Sequence, residues 1–300
     1  MILVFLSSCF TGVESTKKIT LSKEDRKAIR LTEEDSFLKS IQPSPLSEWE
    51  KGMPFYATDN RVILIFDQQG LPTNPEEAQM KGKILTYGGC ESHIGADGKK
   101  YTDIIFQDGE QIYRYNTNKT EKEASSTVMS DKIPMLIDMN MVQQAAGLMK
   151  GKKLWTRTAL WYDPEGNKIK GKKFIPVHVQ EVKPGSMVFP LMVMFKDEED
   201  NNAALFINFG NSGTDSRSFS HIFTLEDIRK KYPSTTDEIW NLISTEQVRK
   251  GMTKEECRLS LGLPTEVSSG HDYSQTLDLW HYPDGMVLWF EDGLLSRFHK

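Results

Sequence analysis

The apolar positions of this chain fall into short β-branched and aromatic runs from about residue 46 to residue 232. Arg61-Val-Ile-Leu-Ile-Phe66, Tyr101-Thr-Asp-Ile-Ile-Phe106, Gln111-Ile-Tyr-Arg-Tyr115, Lys173-Phe-Ile-Pro-Val-His-Val179, Met187-Val-Phe189 and Ala203-Ala-Leu-Phe-Ile-Asn-Phe209 each predict a strand. Asp97-Gly98, Asp108-Gly109 and Glu165-Gly166 place glycines where hairpins need positive φ. One helical period interrupts the strands: Met139, Val142, Ala145, Ala146 and Met149 recur at 3.6-residue spacing.

The pattern changes near residue 235. Thr235-Thr236-Asp237 supplies a cap for a helix whose stripe includes Ile239, Trp240, Leu242 and Ile243. Thr253 with Glu256 forms a capping box for a second helix, which Gly262 stops and Pro264 keeps from resuming. Three strands follow, Gln275 to Tyr282, Met286 to Glu291 and Leu294 to His299, joined tightly at Pro283-Asp284-Gly285 and Asp292-Gly293 into a meander.

A phrase recurs before the strands. Lys51-Gly52, Lys81-Gly82, Lys150-Gly151 and Lys170-Gly171 each precede an apolar residue by three positions, and Met80-Lys-Gly-Lys-Ile-Leu85 parallels Met149-Lys-Gly-Lys-Lys-Leu154. Two readings stand: related β modules, or the same turn chemistry used independently. The expected fold class is α+β and β-rich. Two small antiparallel modules of SH3-like barrel or roll type, residues 46–130 and 131–234, divide at the polar stretch 116–130, and a two-helix plus three-stranded module spans 235–300. Residues 10–45 are polar, with short helices opening at Ser22 and Thr32, and the expected role is a partly helical tether that lifts the folded body off a membrane surface, the other reading being a helical arm packed on that body.

Composition narrows the function. A chain of 300 residues with 38% hydrophobic and 26% charged residues is ordinary globular material. Its net charge of −5 lacks the basic footprint of nucleic-acid binding, so no nucleic-acid partner is expected. Of the three cysteines, Cys9, Cys90 and Cys257, at least one has no intramolecular partner.

The N-terminus gives that count a meaning. Met1-Ile-Leu-Val-Phe-Leu-Ser-Ser-Cys9 resembles the tail of a bacterial lipoprotein signal peptide, with Leu6-Ser7-Ser8-Cys9 similar to a lipobox. The resemblance implies residues 1–9 as a truncated signal, Cys9 as the lipid attachment site, and a location in the cell envelope. The apolar stretch is short and no Lys or Arg precedes it, which a start further upstream would explain.

A second resemblance lies at the other end. Gly251-Met252-Thr253-Lys254-x-Glu256, Leu261-Gly262-x-Pro264, Leu279-Trp280-x-Tyr282-x-x-Gly285 and Leu288-x-Phe290-x-x-Gly293-x-Leu295 resemble the SmpA/OmlA family of small outer-membrane lipoproteins. That family packs two helices on one face of a three-stranded antiparallel sheet, and its best-known member is an accessory subunit of the β-barrel assembly machinery. The resemblance covers about a fifth of the chain, so the fold of the module transfers more readily than the assembly role. The whole chain also resembles multi-module lipoproteins of Bacteroidetes type.

Chemistry-bearing residues are sparse. Cys90 and His93 could form a thiolate–imidazole pair or part of a zinc site, although no second pair completes four ligands. Phe209-Gly-Asn-Ser-Gly-Thr-Asp-Ser216 has the glycines of an anion cradle without a P-loop lysine and reads as a polar hairpin loop. His178 and His221 read as packed or hydrogen-bonded core-edge histidines, and Asp197 to Asp200 as a solvated turn. Trp155, Trp161 and Tyr162 read as core aromatics or a stacking face, and the methionines as core filler. No catalytic residue, metal site or cofactor is expected. The expected function is a non-catalytic, lipid-anchored interaction or scaffold module at the periplasmic side of the outer membrane, with an envelope protein as partner and Trp280, Tyr282 and Trp289 as contact patch or core. The alternative is a ligand-binding or inhibitory module for envelope polymers or hydrolases.

Overall fold

A computed structural model describes residues 32–67, 69–129, 132–209, 217–272 and 275–299. The chain is α+β and strand-rich, and its described residues form three antiparallel sheets. The first sheet holds β1 (Pro54–Ala57), β2 (Ile84–Ile94), β3 (Lys100–Asp108), β4 (Gln111–Asn116) and β5 (Leu136–Asp138) in the order β4-β3-β2-β1-β5. The second holds β6 (Lys153–Thr156), β7 (Leu160–Tyr162), β8 (Lys168–Lys170), β9 (Pro176–Pro184), β10 (Leu191–Lys196), β11 (Asn202–Ile207) and β12 (Phe223–Thr224) in the order β12-β6-β9-β10-β11-β7-β8. Setting aside the β7–β8 hairpin, both sheets place their last strand beside their first, followed by the second, third and fourth, the order of an SH3-like roll. Each sheet has its own apolar core. Phe55, Leu85, Ile104 and Phe106 centre the first, and Leu154, Val177, Val193, Phe195 and Leu205 the second.

Around these sheets run short helices: α1 (Glu33–Ser36), α2 (Pro75–Ala78), α3 (Glu121–Ser125), α4 (Met139–Met149) and α5 (Phe219–Ile222). The helical period over Met139–Met149 holds, with Met141, Val142, Ala145 and Met149 buried against the second sheet. Asp138 caps this helix by accepting from the Asn140 N–H at 2.9 Å. For residues 33–41, the packed-arm reading describes the structure: Leu38 and Ile41 lie in the second core, and Phe37 stacks on Phe219 at 4.2 Å. The helix expected at Ser22 lies outside the described residues.

The third core belongs to α6 (Asp237–Ser244), α7 (Lys254–Leu261) and a sheet in the order β13-β14-β15-β16: β13 (Glu266–Asp272), β14 (Gln275–His281), β15 (Val287–Glu291) and β16 (Leu294–His299). Both helix caps form as the sequence indicates, with Thr236 accepting from Ile239 and the Thr253/Glu256 capping box complete. The expected three-stranded meander is four-stranded. β13 precedes it, and its Ser- and Gly-containing sequence carries too little apolar signal to announce an edge strand.

Two other expectations are corrected. Arg61 to Phe66 is a 3-10 helix, Asn60–Ile65, because the Asp59 side chain accepts from the Arg61 N–H and the run buries Val62, Ile63 and Phe66 while leaving Leu64 exposed, a helical rather than alternating pattern. Met187-Val188-Phe189 is a loop joining β9 to β10, with Met187 and Val188 exposed at its tip.

The Lys-Gly phrase has a structural counterpart. At Glu50–Met53, Met80–Lys83 and Met149–Lys152 the fourth residue's N–H donates to the first residue's carbonyl at 3.0 Å, with glycine third at φ of 92°, 89° and 78°. Each glycine N–H then donates to one residue of a neighbouring strand, whose own N–H returns a bond to the fourth residue: Tyr87, Ala57 and Val179 respectively. Arg249–Met252 repeats the arrangement with Gly251 at φ 89° and Leu295 as the strand partner. Gly171 does not share it. A Cβ there would meet the Trp161 ring at 2.0 Å, so this glycine serves close packing.

Candidate functional site

Trp280, Tyr282 and Trp289 are divided between the two faces of the C-terminal sheet. Side chains alternate along a strand, so Asp278, Trp280 and Tyr282 turn toward the helices with Leu288, Phe290 and Leu295. Trp280 is 1% exposed and Tyr282 7%, which makes both core residues and removes them from any contact patch. Arg258 of α7 stacks over Trp280 at 4.9 Å, and burial pushes the Tyr282 hydroxyl up to about 12.

Trp289 lies on the opposite face. Its register partners are Leu279 on β14 and Arg297 on β16, and the Arg297 guanidinium sits 4.8 Å from the indole. Leu277 and Leu294 are exposed one row away, and Leu279 and Val287 are partly exposed. A hollow of about 410 Å³ among Ser268, Leu277, Leu279, Trp289 and Arg297 marks this face.

The first sheet carries a polar cleft of about 530 Å³ between β2, β3, β4 and the segment Ile65–Asp67. Glu91, Asp103 and Asn116 form one register row across the three strands. The His93 Nδ1 lies 2.9 Å from Asp103 Oδ2, its Nε2 lies 3.4 Å from Asn116 Nδ2, and its ring stacks on Tyr101 at 5.9 Å. The Arg114 Nε donates to Glu91 at 3.1 Å. The other Asp103 oxygen, Oδ1, is enclosed and meets no donor.

This geometry separates Cys90 from His93. Three residues apart on one strand, they face opposite sides of the sheet. Cys90 instead lies 3.2 Å from the Tyr87 hydroxyl, and burial raises its thiol pKa, the reverse of what a nucleophilic thiolate needs. Among the described residues no group of three or more His, Cys, Asp or Glu side chains is placed to hold a metal.

The remaining candidates resolve simply. Cys9 and residues 210–216 lie outside the described residues. His178 is exposed on β9, contrary to the core-edge expectation, because the outward positions of this strand face solvent. His221 is also exposed, with its Nδ1 2.7 Å from the Ser218 hydroxyl. Asp197 accepts the Glu199 and Asn201 N–H groups at 2.9 Å, which makes the acidic run a hydrogen-bonded turn. Trp161 is buried against Phe195, whereas Tyr162 packs on Phe206 beside Arg217.

No helix among the described residues is long and apolar enough to cross a membrane. Compared with known proteins, the chain matches no family model, no curated protein and no solved structure.

Proposed function

We propose that this chain is a non-catalytic interaction module of the cell envelope, anchored by lipid at Cys9 on the periplasmic side of the outer membrane. The supporting observation is the outer face of the C-terminal sheet. It gathers Leu277, Leu279, Val287 and Trp289 with the Arg297 guanidinium stacked on the indole, while among the described residues the helices pack on the other face. Contiguous apolar residues, exposed at Leu277 and partly exposed at Leu279, Val287 and Trp289, around a Trp–Arg pair are the composition of a binding centre rather than scattered surface hydrophobics. The partner is a protein surface with an apolar centre and a carboxylate opposite Arg297, which forms no ion pair among the described residues. The SmpA/OmlA-like sequence of this module and the lipobox-like N-terminus support the envelope location.

The test is affinity capture from detergent-solubilised envelope with the parent chain and with Trp289→Ser and Arg297→Ala. A specific protein recovered by the parent and lost from both variants supports the reading. Equal recovery by all three chains excludes the Trp289 face. Lipid labelling tests the anchor separately, since a Cys9→Ser chain must lose the label.

A further inference from the structure

We infer that the cleft on the first sheet is a binding site for a saccharide, independent of the interaction face on the C-terminal sheet. The cleft joins planar polar side chains of both hydrogen-bonding senses. Asp67, Glu91 and Asp103 offer carboxylate oxygens, whereas Arg114 and Asn116 offer N–H groups. The carboxylates outnumber the one guanidinium, which already pairs with Glu91, so the cleft disfavours an anionic ligand. A ligand rich in hydroxyls suits both hydrogen-bonding senses of the lining, because each hydroxyl donates one hydrogen bond and accepts others.

The spacing fits the same ligand. Glu91, Asp103 and Asn116 are paired across three adjacent strands, which sets their backbones about 4.8 Å apart. A ring lying across the strands therefore meets a polar group at each step. Ile65, partly exposed at the edge of the cleft, supplies apolar surface for the C–H face of a ring.

The polar groups are held in place before any ligand arrives. Asp103 fixes His93 through Nδ1, and the Tyr101 ring stacks on the imidazole. Asn116 Oδ1 accepts from the Asn118 N–H at 2.7 Å, which aims the amide nitrogen toward the cleft.

The experiment titrates the full chain with cellohexaose, chitohexaose and maltohexaose, following the backbone amides of residues 91, 93, 103, 114 and 116 by NMR. At least one oligosaccharide is expected to shift these amides saturably, with a dissociation constant of about 1 mM or tighter. Arg114→Ala and Asn116→Ala, both at exposed positions, should each weaken binding about tenfold while leaving the remaining amide pattern intact. Arg297→Ala, on the other sheet, should bind as the parent does. The inference is overturned if no oligosaccharide shifts these amides at about 10 mM, or if both cleft variants bind as tightly as the parent. It is equally overturned if cadaverine or inorganic phosphate shifts them and no oligosaccharide does.

Discussion

The Lys173 ammonium donates to the Ser260 carbonyl at 2.7 Å, reaching from the segment before β9 into helix α7. It also pairs with Glu246 at 2.9 Å, and the Lys173 N–H donates to the Ser244 carbonyl at 2.8 Å. The next residue, Phe174, enters the third core against Trp240 although its φ of 54° lies in the left-handed region. A bulky residue there is strained, so surrounding contacts must hold it. This two-residue clamp joins the second sheet to the C-terminal module.

Breaking the clamp should therefore destabilise the chain at both residues. Lys173→Ala leaves the Ser260 carbonyl without its ammonium donor and is expected to reduce stability by about 1–3 kcal/mol. Phe174→Ala removes a buried ring at a loss of about 3–5 kcal/mol. Urea denaturation of the two variants checks both figures. Unchanged midpoints would show that the modules do not depend on this contact.

The recurrent turns provide a comparison among glycines. Gly82→Ala, Gly151→Ala and Gly251→Ala each force a side chain into positive φ with open space around it, so each should lose about 1–2 kcal/mol. Gly171→Ala should lose more, because its methyl group would collide with the buried Trp161 ring. Thermal unfolding of the four variants tests this ranking, and equal losses would contradict it.

Burial raises the Asp138 pKa, with the Asn140 and Met141 N–H groups acting in the opposite direction. A carboxyl whose folded pKa is raised contributes stability below its unfolded value and loses it as pH rises through the folded value. Asp138→Asn keeps a capping oxygen without the buried charge. Its unfolding temperature should therefore exceed the parent's at neutral pH, and the difference should vanish below about pH 4. A lower unfolding temperature at neutral pH would mean that the charge itself supports the cap.

The two described cysteines should differ in reactivity. Burial pushes the Cys257 thiol up to about 12, and its side chain lies in the third core. Cys90 is exposed on β2, so a reagent reaches its thiol even though partial desolvation holds its pKa above the usual value. In a Cys9→Ser chain at mildly alkaline pH, a maleimide should modify Cys90 in the folded protein and Cys257 only after denaturation. Equal rates for the folded protein would contradict the buried position of Cys257.

Local interactions were legible wherever a few neighbouring residues settle the outcome. The Thr253–Glu256 box, the Met139–Met149 period and three of the Lys-Gly turns depend on side chains or φ preferences within one or two turns of chain. Arg61–Phe66 misled because a β-branched run states hydrophobicity without stating period, and the Asp59 cap favoured the helix. The fourth turn, at Lys250-Gly251, escapes the phrase because Lys254 and not an apolar residue stands three positions after the glycine, whereas Lys170-Gly171 fits the phrase without forming the turn.

The cleft depends on strand register. His93 and Asp103 meet because β2 and β3 pair across a bulge between Tyr87 and Gly89, and a slip of one residue would put them on opposite faces. In the same way, the alternation of β14 and β15 sends Trp280 into the core and Trp289 to the surface. The sequence by itself determined a β-rich α+β chain with its caps and most of its turns, since those follow from short-range stereochemistry. Which polar and aromatic side chains share a face was decided by tertiary structure, because register and burial arise only when distant strands pair.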